Sequence, residues 1–452
     1  MTGSQPLRRR EIWAYGLLSL PLAIGGLPLA IYLPPFYTQE LGLDLAMVGL
    51  VLMLARVTDV VTDPFIGILS DRWHSRIGRR RPWIIMGVPI MMLGSWLLFV
   101  PPAGVGAGHL LLWSSLLYLG WTMVSIPYSA WGAELSPDYH ERTRITGARE
   151  ALQLIGLLIA TAVPAVMAAQ TGGKLGPVLH VLAVMTCVSL PIAAAVLLFR
   201  VREPAPLPSV PLPWRKALDI VRRNGPFMRL LVATVIGGLA SSVNLSLAML
   251  FYGHVMRLPA EAGSLLFFYI LIGVVAVPFW LAVAKRTSKH RLLCLAGLWG
   301  CACFTVVPFL PAGQFWPMMT INLLSGLSVA VSPVLGASMA ADVVDLDFLR
   351  SGKQRAALFF ALWAMGAKLA NAVGVGIALP LLQLAGFDPT RENGPTELRW
   401  LTGLYVVLPI ALWLVTIRML WNFPITPERQ ARFRARIDRR AAAAAAKSPT
   451  SF

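Results

Sequence analysis

The amino-acid sequence predicts an all-α membrane protein in which twelve transmembrane helices form two six-helix bundles. The first observation is composition: 57% of the 452 residues are hydrophobic and only 13% are charged, which excludes an ordinary soluble domain. The second is the recurrence, along the whole chain, of apolar stretches long enough to cross a bilayer as an α-helix. The third is an alternation of basic residues between successive connections.

Each apolar stretch accounts for one predicted helix, and these are named α1 to α12 in chain order. They cover residues 13–37, 44–70, 82–101, 107–134, 144–169, 177–200, 227–253, 262–284, 291–311, 315–341, 355–385 and 397–421. The first stretch is too long for a signal peptide and lacks a small-residue cleavage site. The four cysteines all lie in apolar helices, which indicates core residues rather than disulfides or zinc ligands.

Basic residues test the helix count. Of the 39 lysines and arginines, 33 lie at the chain ends and in the even-to-odd connections, four lie in the odd-to-even connections, and Arg56 and Lys368 lie inside helices. The asymmetry predicts that both termini are cytoplasmic. The net charge of +18 then faces anionic lipid headgroups and requires no nucleic acid. The expected location is the plasma membrane, the inner membrane of a bacterium, and the expected state is a monomer.

A proline-rich segment divides the predicted helices into six and six. Residues 204–213 contain five prolines and cannot form a helix. The predicted units are therefore an N-terminal bundle over 1–203, a proline-rich and basic linker over 204–226, a C-terminal bundle over 227–425 and a basic tail over 426–452.

Two aspartates inside α2 are the strongest functional signal. Asp59 and Asp63 are four residues apart, so both lie on one helix face, and an ionised carboxylate in hydrocarbon is costly. Thr58 and Thr62 precede them and complete an oxygen-rich site of the kind that hard cations and protons prefer. The alternative is a structural ion pair with Arg56, although one arginine cannot neutralise two acids.

A lysine lies in the middle of α11. Lys368 has no acid within four residues, so its partner must lie on another helix. Asp59 or Asp63, across a central cavity, is the best candidate. The alternative is a lysine whose ammonium group reaches the membrane interface by snorkelling.

The connection between α2 and α3 resembles a known signature. Its sequence, GILSDRWHSRIGRRRPW over 67–83, is similar to the Gly-x-x-x-Asp-Arg…Gly-Arg-Arg motif of the major facilitator superfamily. The form is that of the glycoside–pentoside–hexuronide:cation symporter branch, typified by melibiose permease. Further similar stretches occur in the same order at 56–64, 126–135 with 141–143, 342–345 and Lys368. The resemblance covers essentially the whole chain and implies the major facilitator fold and alternating access.

The resemblance also implies roles for individual residues. It places a cation site at Asp59, Thr62, Asp63 and Thr122. It places substrate contacts at Ser125, Ser129, Arg149, Trp363 and Lys368. Two carboxylates of the melibiose-type sugar site are missing, because α1 has no acid and Ser125 stands where α4 would carry an aspartate. This departure argues against a galactoside and leaves a less polyhydroxylated substrate open.

A second group of charges is assigned to conformational change rather than to substrate binding. Its members are Asp71, Arg72, Arg79, Arg80 and Arg81 after α2, and Asp342 and Asp345 at the predicted end of α10. The two acids of α10 stand near Asp347, Arg350 and Lys353, which favours a cytoplasmic gate or ion-pair cluster.

Three classes of function follow from these observations. The leading hypothesis is a secondary transporter that couples a sodium ion or a proton to a small organic solute, expected to be a sugar or glycoside, and needs no other cofactor. The second is an uncoupled carrier or exporter of a non-sugar or amphiphilic substrate. An enzyme is disfavoured because no cluster of metal ligands occurs within the membrane segments. An ATP-driven pump is excluded because no phosphate-binding Gly-x-x-x-x-Gly-Lys-Ser/Thr loop is present.

Overall fold

The computed structural model describes residues 7–73, 75–136, 139–203, 214–284, 286–351, 355–426, 428–430, 432–433 and 436. Within these residues, twelve helices are long and apolar enough to cross a membrane, which confirms the predicted fold class. They are Arg9–Ile31, Leu45–Arg72, Arg81–Phe99, Ala107–Glu134, Arg144–Thr171, Gly176–Arg200, Gly225–Val255, Ala262–Ala284, Lys289–Phe309, Phe315–Ser351, Leu358–Leu384 and Pro395–Leu420. The names α1 to α12 now denote these helices.

The predicted domain boundaries and the cytoplasmic side of the termini stay predictions. The proline-rich residues 204–213 and most of the tail lie outside the described residues. A helix over Trp214–Arg223 leads into α7. Its Val221 is buried in the core of the second half, whereas Arg222 and Arg223 are exposed, so the helix is amphipathic.

The first helix differs from the prediction in its interior and at its end. It is interrupted by a turn at Leu17 and Leu18, and after Ile31 the chain continues as a short helix over Leu33–Pro35 and a π-helical turn over Phe36–Glu40. Proline lacks an amide hydrogen, so a regular hydrogen-bond ladder cannot pass through Pro34 and Pro35.

The predicted end of α10 at residue 341 is wrong. The helix is interrupted after Gly326, resumes at Val331 and continues to Ser351. Asp342 and Asp345 therefore lie inside the helix rather than at its end. Within the helix Asp342 has a charged partner, because Lys289 Nζ lies 2.6 Å from Asp342 Oδ2.

The second helix occupies the position that joins the two halves. It packs against α4 in its own half and against α11 in the other half, while α5 packs against α8. Two ends of the bundle are distinguished below: the basic end, which carries the chain ends and the even-to-odd connections, and the outer end opposite to it.

Glycines bring the halves into close contact at the outer end. An added Cβ on Gly49 would lie 2.9 Å from Cβ of Leu379, and one on Gly376 would lie 2.6 Å from Cβ of Met53. Small residues allow this approach of backbones between membrane helices. A hydrogen bond between Gln39 Nε2 and the Nε2 atom of His254, 3.1 Å long, also crosses between the halves there.

Replacing Gly376 with alanine should destabilise the protein. Alanine normally stabilises a helix interior by about 1 kcal/mol relative to glycine, but here its methyl group collides with Met53, and overpacking typically costs about 1–3 kcal/mol. The control is Gly147→Ala, because an added Cβ at Gly147 meets no atom within 4 Å. We expect the midpoint of thermal unfolding to fall for Gly376→Ala and to stay or rise for Gly147→Ala; a rise for both would show that the outer contact is loose.

Cysteine labelling tests the predicted orientation. Thr390 and Thr287 are exposed at the outer and the basic end, so each can be replaced by cysteine in a variant without the four native cysteines. In intact cells, a membrane-impermeant maleimide should label Thr390→Cys and should label Thr287→Cys only after the membrane is opened. The reverse pattern would contradict the cytoplasmic location of the basic end.

Candidate functional site

Three charged side chains from two helices meet in the middle of the bundle. Asp59 and Asp63 come from α2, and Lys368 comes from α11 in the other half of the chain. Lys368 Nζ lies 2.9 Å from Asp59 Oδ2 and 2.6 Å from Asp63 Oδ2. One ammonium group therefore lies between both carboxylates, which are the partners that the sequence argument named for it.

A threonine on α4 holds the opposite side of the same carboxylates. Thr122 Oγ1 lies 2.6 Å from Asp59 Oδ1 and 2.9 Å from Asp63 Oδ1. A hydroxyl group has one proton to donate, so Thr122 serves one acid at a time. Its oxygen lies beside two carboxylate oxygens, as it would in the coordination shell of a small cation.

The accessible surface of the cluster increases towards the basic end. Asp59 is 2% exposed, whereas the side chains of Asp63 and Lys368 are 20% and 26% exposed. Asp63 lies one turn closer to the basic end of α2. Asp59 is therefore covered by its neighbours, whereas Asp63 and Lys368 keep part of their surface accessible.

The neighbouring threonines of α2 bond to their own helix. Thr62 Oγ1 donates to the backbone carbonyl of Asp59 at 3.1 Å, and Thr58 Oγ1 donates to that of Ala55 at 2.6 Å. Hydroxyl groups in membrane helices commonly bond backwards in this way. The hydroxyl proton of Thr62 is thus directed at the backbone, and a role for its oxygen at the cation site remains a prediction.

The ion pair of the acids with Arg56, which was the structural alternative, is not found among the described residues. The guanidinium of Arg56 instead lies over the ring of Tyr118, with Cζ 4.9 Å from the ring centroid. Both carboxylate oxygens of Asp59 are occupied by Thr122 and Lys368. Competition from Lys368 and Thr122 explains why Arg56, although three residues from Asp59, makes no ion pair with it.

A cavity of about 110 Å³ lies between the halves beside this arginine. Its walls come from α1, α2 and α4 of the first half and from α7 and α11 of the second. The lining residues are Leu29, Ala30, Leu52, Arg56, Tyr118, Ser242, Leu245, Asn371, Ala372 and Val375. A cavity at the interface of two repeats is where transporters of this architecture hold their substrates.

The other predicted substrate residues are not part of the charged cluster. Ser125 and Ser129 follow Thr122 on α4 by one and two turns towards the basic end. Arg149 is paired with the neighbouring Glu150, with Nη2 and Oε1 2.6 Å apart. The indole nitrogen of Trp363 donates to Thr234 Oγ1 at 2.9 Å.

The charges that follow α2 form a compact network at the basic end. Glu134, the last residue of α4, accepts hydrogen bonds from Arg79 at 2.9 Å and from Arg80 at 2.6 Å. Arg80 also lies 3.2 Å from Asp71, whereas Arg72, which is exposed, makes a contact elsewhere. This network joins α2, α3 and α4 within the first half.

Glu203 was not identified from the sequence. Its Oε1 atom accepts hydrogen bonds from the backbone amides of Arg79 and Arg80 at 2.9 and 2.7 Å, at the start of α3, where a negative charge is favourable. It therefore fixes the end of α6 against the connection between α2 and α3. One feature of the sequence could have pointed to it: Glu203 is the acid that directly precedes the proline-rich segment.

Known proteins similar to this chain are membrane transporters. A family model described as MFS/sugar transport protein matches residues 14–427. The chain is 25% identical to the isoprimeverose transporter of Lactiplantibacillus pentosus, over 88% of this chain and 85% of the relative. It is 24% identical to the sodium-dependent lysophosphatidylcholine symporter 1 of Mus musculus, over 92% of this chain and 85% of the relative.

A solved structure supports the fold assignment. A bacterial homologue of the human lysosomal transporter Spinster, in an inward-facing and unoccupied conformation, aligns with a TM-score of 0.66 at 15% identity. The alignment covers 94% of this chain and the whole of the other. At that identity the likeness concerns the fold alone.

Removing the ammonium group should destabilise the protein. Lys368→Met leaves two neighbouring carboxylates without a cation, and breaking a buried ion pair costs about 3 kcal/mol at the low end of the known range. The low end applies because Lys368 and Asp63 are partly exposed. We expect a lower midpoint of thermal unfolding in sodium-free buffer.

A double mutant tests whether the expected loss of stability is electrostatic. Adding Asp63→Asn to Lys368→Met leaves one carboxylate, still bonded to Thr122, so part of the lost stability should return. A double mutant no more stable than Lys368→Met would show that the lysine acts through packing and not through charge.

Proposed function

Because the chain belongs to the MFS/sugar transport protein family, we propose that it is a secondary transporter that couples a sodium ion or a proton to the movement of a small organic solute. The observation that carries the proposal is the position of Lys368 between Asp59 and Asp63. The ammonium group lies where a coupling cation would lie, so the two cations compete for the same carboxylates.

Competition of this kind supplies a physical mechanism of coupling. Two carboxylates one turn apart repel each other in a low dielectric. A cation must therefore lie beside them in every conformation of the transport cycle. With no coupling ion bound, Lys368 supplies the charge. A sodium ion or proton that enters at Asp59 and Asp63 releases Lys368, which then contacts substrate. Cation occupancy and substrate affinity are thereby linked through a shared partner.

The oxygens around the acids suit a small hard cation. Asp59, Asp63 and Thr122 offer carboxylate and hydroxyl oxygens, the ligand types that such ions prefer. The same carboxylates could take up a proton instead. Relatives include sodium-dependent symporters, which favours sodium without extending that property to this chain.

Release of Lys368 also removes a contact between the halves. The aspartates belong to the first half and the lysine to the second, so the bound coupling ion weakens an attraction that favours one arrangement of the halves. Binding energy that differs between two conformations shifts their populations. In this proposal the solute enters the cavity between the halves and is exposed alternately at the two ends.

The substrate of the leading proposal is a sugar or glycoside. Ser125 and Ser129 lie between the charged cluster and the basic end, where hydroxyl groups can bond to a polyhydroxylated solute. The family description names sugar transport, and one relative is named for isoprimeverose transport.

The second candidate is a carrier for an amphiphilic, non-sugar substrate. It is favoured by the side chains of Arg149 and Trp363, which are engaged with Glu150 and Thr234 rather than directed at a sugar. Relatives named for lysophosphatidylcholine favour it as well. Counterflow by proteoliposomes loaded with either a glycoside panel or a lysophospholipid panel separates the two candidates.

Neutralising either aspartate tests coupling. In proteoliposomes, Asp59→Asn and Asp63→Asn should abolish accumulation against the substrate gradient and leave some downhill exchange, because each removes half of the cation site. The control is Asp388→Asn, which removes an acid from the connection between α11 and α12 and should accumulate substrate like the parent.

The choice of gradient identifies the ion. Uptake is measured with a sodium gradient at equal pH and with a proton gradient in sodium-free buffer. If both Asn variants accumulate substrate as well as the parent under the effective gradient, the acid pair is structural and coupling at this site is refuted.

A further inference from the structure

We infer that Arg56 is the binding site for an anionic group of the substrate, a carboxylate or a phosphate ester, held in the cavity beside the charged cluster. The inference rests on the proposed transport function and specifies the class of solute. It assigns to Arg56 a role separate from the cation site, although the two sites are one helical turn apart on α2.

The first observation is that Arg56 has no carboxylate partner in the described part of the chain. A charged side chain at membrane depth is expensive and normally pairs with an opposite charge. Among the described residues, the one charge-related contact of Arg56 is with the ring of Tyr118, and that contact leaves the planar edge of the guanidinium unused. This edge carries the donors that bind carboxylates and phosphates in a bidentate manner.

The second observation is the cavity itself. It lies at the interface of the two halves. A ligand there contacts helices of both halves, which move against each other in the proposed transport cycle. Its volume of about 110 Å³ is smaller than the roughly 300–1,000 Å³ of a complete ligand pocket. It therefore accommodates one compact group of a solute.

The lining of the cavity provides a further polar group. Asn371 stands one turn after Lys368 on α11, and its side chain is exposed. Ser242 donates to the backbone carbonyl of Asn371 at 2.9 Å, which fixes the position of that turn. Arg56 from the first half and Asn371 from the second half thus face one small space, where a single anionic group can contact both.

The charges of the site require the same class of ligand. Asp59 and Asp63 are balanced by Lys368 and Arg56 when no coupling ion is present. Entry of one monovalent cation leaves the group with one excess positive charge inside the membrane bundle. A solute with one anionic group restores neutrality, whereas an uncharged sugar does not.

Pairs of probes that differ in charge test the inference. The first pair is methyl glucuronide and methyl glucoside; the second is a lysophosphatidylglycerol, which carries one net negative charge, and the monoacylglycerol with the same chain. Each is titrated into purified protein without any ion gradient, in sodium and in choline chloride. We expect at least one anion-bearing probe to bind the parent about tenfold to a hundredfold more tightly than its neutral partner, as a charge-assisted hydrogen bond would provide.

The variants assign this preference to one residue. Arg56→Gln should abolish it, and Arg56→Lys should keep only part of it, because lysine cannot form the bidentate contact. Arg399→Gln, which removes an exposed arginine at the start of α12, should leave it unchanged. Arg56→Lys retains the charge and decides the question if Arg56→Gln does not fold.

The outcomes separate the two proposals. A preference confined to the glucuronide identifies a sugar acid, one confined to the lysophospholipid identifies a phosphate-bearing amphiphile, and either supports the anion site. If neither anion-bearing probe binds more tightly than its neutral partner, or if the preference survives Arg56→Gln, the anion site is refuted. A preference that is identical in sodium and in choline supports the anion site and counts against sodium coupling alone.

Discussion

The arrangement of this protein depends on the neutralisation of two carboxylates inside a membrane bundle. Asp59 and Asp63 lie on one face of α2, and only a cation close to both makes that arrangement tolerable in a low dielectric. The cation in this structure is the ammonium group of Lys368, 2.9 and 2.6 Å from the two acids. Because Lys368 belongs to the other half of the chain, a local electrostatic requirement becomes a contact between halves.

Two chemically different contacts connect α2 of the first half with α11 of the second. At the outer end, Gly49 and Gly376 allow apolar side chains and backbones to approach closely, and this contact does not respond to ions. At the centre, the contact is ionic and disappears when another cation takes the place of Lys368. In the proposed mechanism a coupling ion acts directly on the central contact alone, so opening of the outer end would have to follow from movement of α2 against α11. Because the two contacts differ in this way, the proposed ion binding would shift the balance of conformations while the apolar contact persists.

Sequence analysis could identify what depends on local spacing. The interval between Asp59 and Asp63 places both on one face, and the distribution of basic residues gave a helix count that the structure confirms. Contacts between residues far apart in the chain could not be predicted from the sequence in the same way. The interaction of Lys368 with both acids spans more than 300 positions, and nothing in the sequence near Arg56 shows that Tyr118 receives it. The predicted end of α10 failed for the same reason: Asp342 reads as the end of an apolar run until Lys289 is known to face it.

The remaining constraint is the balance of charge during transport. The charges of Lys368 and Arg56 balance those of Asp59 and Asp63, so the four side chains together have no net charge. In the proposed mechanism, a conformational change without a ligand requires Lys368 to stay bound to the acids. In the proposed mechanism a bound cation releases the lysine, and the excess charge would then disfavour the same conformational change until a compensating group arrives. An anion at Arg56 would remove that excess. Arg56 and Lys368 would thus require that ion and solute are both bound before the protein changes conformation. Either ligand alone leaves a net charge in a region of low dielectric, where an unbalanced charge is most unfavourable.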